Sequence, residues 1–300
     1  MSLVVDAAAA AAYAGALVAG LAHSGAYLPT YAQGWQDANW AGWSSFLPGF
    51  ALCFAALWVL EAAAYRCLNV VSALVKSDIF ETPRNRAILA RHVMDTAALS
   101  FVAYIGCDMY MRQASYPETA LERLYVRLPE YEFLCVAMLA FQTKNLVDSL
   151  TWKDPPEYVA HHIVCVLVAI GTLDGHFLHL YGIFFFGVSE VSTAVLSALA
   201  SFDPEHGVAA LARAMPVTKV LLGALFAVLF VSIRLVAWPY LAYHLANDAV
   251  EVLRAGEAHS QPVVVTFLAF LAGLTLLQFF WLTEILKRAA DELKPKAKAN

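Results

Sequence analysis

Two adjacent histidines in an apolar run are the first residues in this chain whose types and spacing suggest chemistry. They lie in the stretch 154–175, DPPEYVAHHIVCVLVAIGTLDG, which reads as a membrane helix with a marked start. Asp154 suits the N-cap, Pro155 the first helical position, and Glu157 the place three residues after the cap, a capping box. From Val159 onward the body is apolar except for His161, His162 and Cys165. On a helix of 3.6 residues per turn Glu157 and His161 form an i,i+4 pair, and His162 points about 100° away. A carboxylate one turn below an imidazole would fix the ring's orientation and tautomer and raise its basicity.

Further ionisable groups fall inside apolar runs: Glu61, Asp95, Lys144, Asp148, Glu190 and Arg234. Each costs at least ~2.5–3.5 kcal/mol at a bilayer centre, so such groups face a bundle interior and take partners. Glu190 sits midway along its run, and Glu190, Thr193 and Ser197 make one polar stripe beside Ser189 and Ser192. Arg234, deep in SIRLVAWPY, is the natural counter-charge, and a Glu190–Arg234 contact is expected. Such a pair either serves a site or only fixes helix packing. Lys144 and Asp148 are an i,i+4 pair whose plain reading is a local salt bridge. A metal centre is not expected, because neighbouring residues diverge on a helix and no His-x3-His or Cys/His spacing completes a tetrahedral set.

The elements that must position these residues are membrane helices. Of 300 residues 61% are hydrophobic and 14% charged, against about 45–50% and about 25% in soluble chains. Water has no surface for that surplus, so the class is an all-α polytopic membrane protein. Apolar runs at 7–28, 46–74, 92–111, 132–150, 158–173, 178–200, 216–246 and 263–287 give about eight spans. A signal peptide is the alternative for the first, and the fifth is short. Pro48, Pro216 and Pro239 fall near the ends of runs, where a missing N–H costs little. No stretch between runs is long enough for a separate soluble domain. Five dispersed cysteines make no disulfide framework, and a net charge of −5 without a basic patch argues against nucleic acid.

With both termini cytosolic, twelve Lys/Arg fall on the cytosolic side and four on the other, with Arg66, Lys144 and Arg234 inside spans. That asymmetry fits the positive-inside rule. The tail ends Lys296-Ala-Lys298-Ala-Asn300. It is similar to the dilysine signal by which coat-protein machinery retrieves endoplasmic reticulum membrane proteins, or else is a chance match in a Lys/Ala-rich tail.

EYVAHHIVCVLVAIG, then GVSEVSTAVLSAL, then SIRLVAWPYLAYHL and a terminal LQFFWLTEILKR together resemble the TLC domain of the ceramide synthase superfamily. The resemblance implies three parts: two N-terminal helices over 1–84, a six-helix domain over 85–290 and a basic tail over 291–300. It further implies that the six helices form a barrel around a lipid-sized cavity. In the synthase branch the paired histidines, matching His161 and His162, serve acyl transfer from acyl-CoA to a long-chain amine. Glu157 and Glu190 would join them in catalysis; Arg234, Thr193, Ser189, Asp148 and Lys144 would hold substrate. No bound cofactor is implied, acyl-CoA being a co-substrate. The synthases carry a D-x-x-D-type stretch where this chain has Ser189-Glu190-Val191-Ser192-Thr193. That single carboxylate is closer to the non-synthase members, which concern phospholipid composition or trafficking.

Three functions stay open on the sequence: an acyl-CoA-dependent N-acyltransferase, a non-catalytic lipid-binding or sensing protein, and a proton-coupled transporter relaying through His161, Glu190 and Arg234. Transporters' Gly/Pro-broken mid-membrane helices are not evident. A retinal protein is disfavoured because the last span, 263–286, has no lysine for a Schiff base.

Overall fold

The computed structural model describes residues 43–113, 116–173 and 176–293. The apolar run 7–28 and the tail lysines Lys296 and Lys298 lie outside them. The described residues form helices throughout: α1 (Trp43–Leu74), α2 (Pro83–Arg112), the short α3 (Ala120–Tyr125), α4 (Pro129–Trp152), α5 (Pro156–Leu173), α6 (His179–Ala200), the short α7 (Ala209–Ala214), α8 (Pro216–Ala255) and α9 (Gln261–Leu293). Six of the seven long ones are long and apolar enough to cross a membrane. The seventh, α4, carries Glu130, Glu132, Lys144 and Asp148. It still belongs to the bundle because it is wrapped by its neighbours, with Leu134, Cys135, Val136, Met138 and Ala140 all fully buried.

The packing closes into a ring. Helix α4 touches α5, α5 touches α9, α9 touches α8, α8 touches α6, α6 touches α2 and α2 returns to α4, while α1 packs outside against α2 and α4. Lipid supplies no hydrophobic drive for helix association, so close backbone approach matters. Gly106 of α2 and Gly187 of α6 supply it: a Cβ added at Gly106 would lie 2.3 Å from the Gly187 Cα. This contact shuts the seam between α2 and α6.

Helix boundaries depart from the hydropathy runs in informative ways. Helix α2 begins at Pro83, capped by the Thr82 side chain accepting from the Asn85 N–H, so it takes in the polar turn that hydropathy omitted. The expected capping box at Asp154 does not form. Helix α5 starts at Pro156, and the Asp154 carboxylate accepts from Ser149 Oγ at 2.9 Å and faces Arg91 at 3.4 Å. A nearby guanidinium and hydroxyl outcompete the helix N-terminus for the carboxylate. Pro239 is likewise not at a span end. It lies inside the 40-residue α8, directly after a π-helical segment, Phe230–Ala237. Such a segment accommodates a proline's missing N–H with a wider turn instead of a break. Pro48 does lie near the start of its span, Phe46–Leu74, as expected.

At the end shared by the α2 and α5 starts and the α9 C-terminus, Asp203 anchors the 201–208 loop. Burial opposes its ionisation, but the N–H groups of His206 and Glu205, at 2.9 and 2.8 Å, and the Arg288 side chain of α9 hold its carboxyl below the ordinary 3.8.

Two outcomes are expected. Gly106→Val forces the α2–α6 seam apart and lowers thermal stability by about 1–3 kcal/mol or more, whereas Gly223→Ala, with nothing within 4 Å of the added Cβ, leaves the unfolding temperature unchanged. Because the Asp203 carboxyl titrates lower when folded, its stabilisation is present above its ordinary value and is lost as pH falls through the lower folded value. Asp203→Asn should therefore remove part of the acid-side slope of stability against pH, and an unchanged slope would exclude this anchor.

Candidate functional site

The expected pairing of the two mid-bundle charges is present. Arg234 Nη2 donates to Glu190 Oε1 at 3.3 Å and to Thr193 Oγ1 at 2.7 Å, and Nε donates to Ser192 Oγ at 3.3 Å. Ser189 Oγ adds a bond to Glu190 Oε1 at 3.2 Å. Both charged residues are 6% exposed. The guanidinium also lies over the Trp238 ring, 5.1 Å from its centroid. A buried pair with its lone pairs and protons engaged in this way repays more of its desolvation than a bare one. Both partners sit at π-helical distortions: Glu190 follows the segment Phe184–Val188, and Arg234 lies within Phe230–Ala237. A π turn rotates the following side chains relative to a regular helix, which is how the two face each other across the ring. Ser197, the third member of the expected stripe, takes no part; Ser192 replaces it.

Beside this pair is a narrow chamber of about 60 Å³, opening into a wider region of about 640 Å³ that includes the space outside its mouth. Five ring helices line it: α4 through Tyr131 and Gln142, α5 through His161, Cys165 and Val168, α6 through Tyr181, Phe185 and Glu190, α8 through Arg234, Trp238 and Leu245, and α9 through Phe267, Leu271 and Leu274. Helix α2 contributes nothing to the wall, since the Gly106–Gly187 contact leaves no room. Apolar walls with a few converging polar groups are the ordinary form of a small-ligand site.

The two histidines separate. His161 faces the chamber, its Nε2 3.6 Å from Cys165 Sγ and its ring set edge-on to Trp281 at 5.2 Å. His162 turns to α4, where its Nδ1 lies 2.6 Å from Gln142 Oε1. The amide oxygen only accepts, so His162 Nδ1 carries the proton. The proposed Glu157–His161 bond is absent among the described residues: His161 meets Cys165 and Trp281 instead, and Glu157 stays partly exposed at the start of α5. An i,i+4 spacing permits such a bond, but both side chains must turn toward each other, and the chamber draws His161 away.

Lys144 and Asp148 are paired as expected, at 2.6 Å, but not at the chamber. Lys144 is fully buried, also ion-paired with Glu61 Oε2 at 2.5 Å and placed over the Trp58 ring. Arg91 joins Asp148 at 3.5 Å, Asp95 at 3.8 Å and Asp154 at 3.4 Å. This centre ties α1, α2, α4 and the α4–α5 corner together. Thus His161, Glu190 and Arg234 share one enclosed space, Ser189 and Thr193 support the ion pair, and His162, Glu157, Lys144 and Asp148 stand elsewhere.

A third cluster, Glu132, His176 and His179, has ligand-capable atoms within 4.8 Å of one another. Its donors are committed: Arg127 holds Glu132 at 2.7 and 3.3 Å, the Leu128 N–H donates to His179 Nδ1, and His179 Nε2 bonds the Thr172 carbonyl. A neighbouring guanidinium and two occupied ring nitrogens do not suit a cation.

Sequence reasoning missed Gln142, Arg91, Trp238 and Trp281. Arg91 had a usable signal, its i,i+4 spacing to Asp95. Gln142 and the tryptophans had none, because an uncharged amide or indole in an apolar run raises no anomaly.

The family model described as TLC domain matches residues 85–287. No curated protein matches the chain.

Removing one partner of the buried pair should cost more than removing both. Arg234→Met leaves Glu190 unpaired and is expected to destabilise by about 3–5 kcal/mol, with Glu190→Gln added to it restoring much of the loss. Thermal unfolding of the detergent-solubilised single and double variants checks this, and simple additivity would show that the two groups are uncoupled.

Proposed function

The chain belongs to the TLC-domain family, which carries a membrane lipid-related function, and from that premise we propose that the chamber binds one lipid chain and that His161 acts on it. The observation that carries this reading is the location of His161: it is the imidazole that faces the chamber, alongside Glu190 and Arg234. The reaction that fits is N-acyl transfer from acyl-CoA to a long-chain amine. His161 takes a proton from the neutral amine as the amine nitrogen attacks the thioester carbonyl. The carbon–sulfur bond then breaks, and the departing thiolate recovers that proton. Apolar walls keep out water that would hydrolyse the thioester. His162, locked to Gln142 on α4, is a positioning residue that fixes α5 relative to α4.

A second reading is supported by a specific feature. Glu190 is neutralised by Arg234, and among the described residues His161 has no carboxylate to raise its basicity, so a lipid-binding protein that sets membrane phospholipid composition without catalysis fits the same geometry. In either case the reading places the protein in the endoplasmic reticulum membrane with both termini cytosolic. The twelve-to-four asymmetry of Lys/Arg supports this orientation.

The deciding experiment incubates purified protein with acyl-CoA and sphinganine and measures amide product for wild type, His161→Ala and His162→Ala. Acyl transfer predicts product from wild type, a loss of at least 100-fold with His161→Ala, and a smaller loss with His162→Ala. No product from wild type, with a lipid still co-purifying, selects the non-catalytic reading. Equal product from wild type and His161→Ala overturns the residue assignment.

A further inference from the structure

The inner face of α9 continues past the chamber wall. Phe267, Leu271 and Leu274 line the cavity, and the same i, i+4, i+7 progression next brings Gln278 and Trp281 onto that face. Gln278 is fully buried. Its Nε2 donates to the Leu274 carbonyl at 3.0 Å, which fixes the amide's orientation. The opposing Oε1 is buried and has no hydrogen-bond partner among the described residues. One turn on, the Trp281 indole Nε1 is also buried with no partner among them. Its ring stacks on Tyr158 at 6.1 Å and stands edge-on to His161 at 5.2 Å.

Buried polar atoms in proteins are normally matched, and leaving two unmatched on one helix face is costly in hydrocarbon. A bond to the same helix shows the alternative: Trp238 Nε1 donates to Thr275 Oγ1 of α9 at 3.1 Å, so that indole N–H is matched. The unmatched atoms are complementary, one donor and one acceptor, and Trp281 is in ring contact with the imidazole that faces the chamber.

We propose that Gln278 and Trp281 form the polar end of the chamber's ligand site: the indole N–H donates to a lipid's carbonyl oxygen, and Gln278 Oε1 accepts from an N–H or O–H of the same head group. This rests on the lipid-chamber reading above and adds to it a ligand class, lipids whose head presents a carbonyl acceptor and a neighbouring donor. It also gives orientation. The head lies toward the α5 N-terminus beside His161, and the chain runs down the apolar wall toward Phe267 and Leu245.

Two probes of equal chain length separate the roles. Palmitamide offers an acceptor and a donor, and methyl palmitate offers the acceptor alone. Binding of each to the full chain in nanodiscs is measured for wild type, Trp281→Phe and Gln278→Leu, together with the unfolding temperature of each ligand-free protein. Wild type should prefer palmitamide. Trp281→Phe should weaken both probes about 5–10-fold, and Gln278→Leu should weaken palmitamide alone by a similar factor, each being the loss of one hydrogen bond. Ligand-free stability should hold or rise, because an unmatched buried group is removed. A fall in unfolding temperature with both affinities intact would make these residues structural and overturn the assignment while leaving the chamber reading standing. Unchanged affinities with unchanged stability would do the same. If wild type binds neither probe, and lipid extraction yields nothing, the chamber reading fails with it.

Discussion

A carboxylate and a guanidinium held in hydrocarbon are the constraint from which the rest of this structure follows. Glu190 and Arg234 must meet, because neither has water to return to. Meeting requires α6 and α8 to turn their charged faces inward at the same depth, and both helices adopt π segments there. With that contact and the Gly106–Gly187 approach in place, α6 is fixed on two sides. Apolar helices alone would not hold such an arrangement, since lipid tails solvate leucine as well as another helix does. The chamber is what remains on the inner side of α6, lined largely by aromatic and leucine side chains.

The fold and the central ion pair were legible in the sequence for one reason. Hydropathy finds helices, and an ionised group inside a hydropathy run is an anomaly that only a partner resolves. Glu190 and Arg234, and Lys144 with Asp148, were readable in this way. Groups that create no anomaly were silent. Gln142 lies in α4 as one amide among apolar neighbours, so nothing in the chain forecast that it would claim His162 across 20 residues. Asp154 misled for the opposite reason: its local sequence offered a complete helix cap, and a distant guanidinium, Arg91, made a better partner. Pro239 misled because a run of apolar residues does not reveal whether the backbone within it keeps an α register.

Adjacency of the two histidines in the chain concealed a division between them. Neighbouring residues on a helix diverge by about 100°, so only one of two can face a given cavity. His161 takes the chamber and His162 the α4 interface, where its proton is committed to Gln142. A sequence motif of two histidines is then not two copies of one function. One ring faces the chamber, and the other bonds Gln142 of α4.

The distribution of charge decides what kind of chemistry the chamber supports. The Lys144–Arg91 centre holds two cations against Glu61, Asp95, Asp148 and Asp154, and none of its side chains lines the chamber, so its work is to clamp helices. Within the chamber, Arg234 spends Nε and Nη2 on Ser192, Thr193 and Glu190, and Glu190 is in turn occupied by Arg234 and Ser189. The charged groups there largely cancel each other. What faces the chamber with its capacity less committed is the His161 ring, which contacts the weakly hydrogen-bonding thiol of Cys165. A site built on an imidazole in an apolar enclosure suits proton transfer to or from a polar atom on a largely hydrophobic ligand, and is poorly suited to recognising a ligand by net charge.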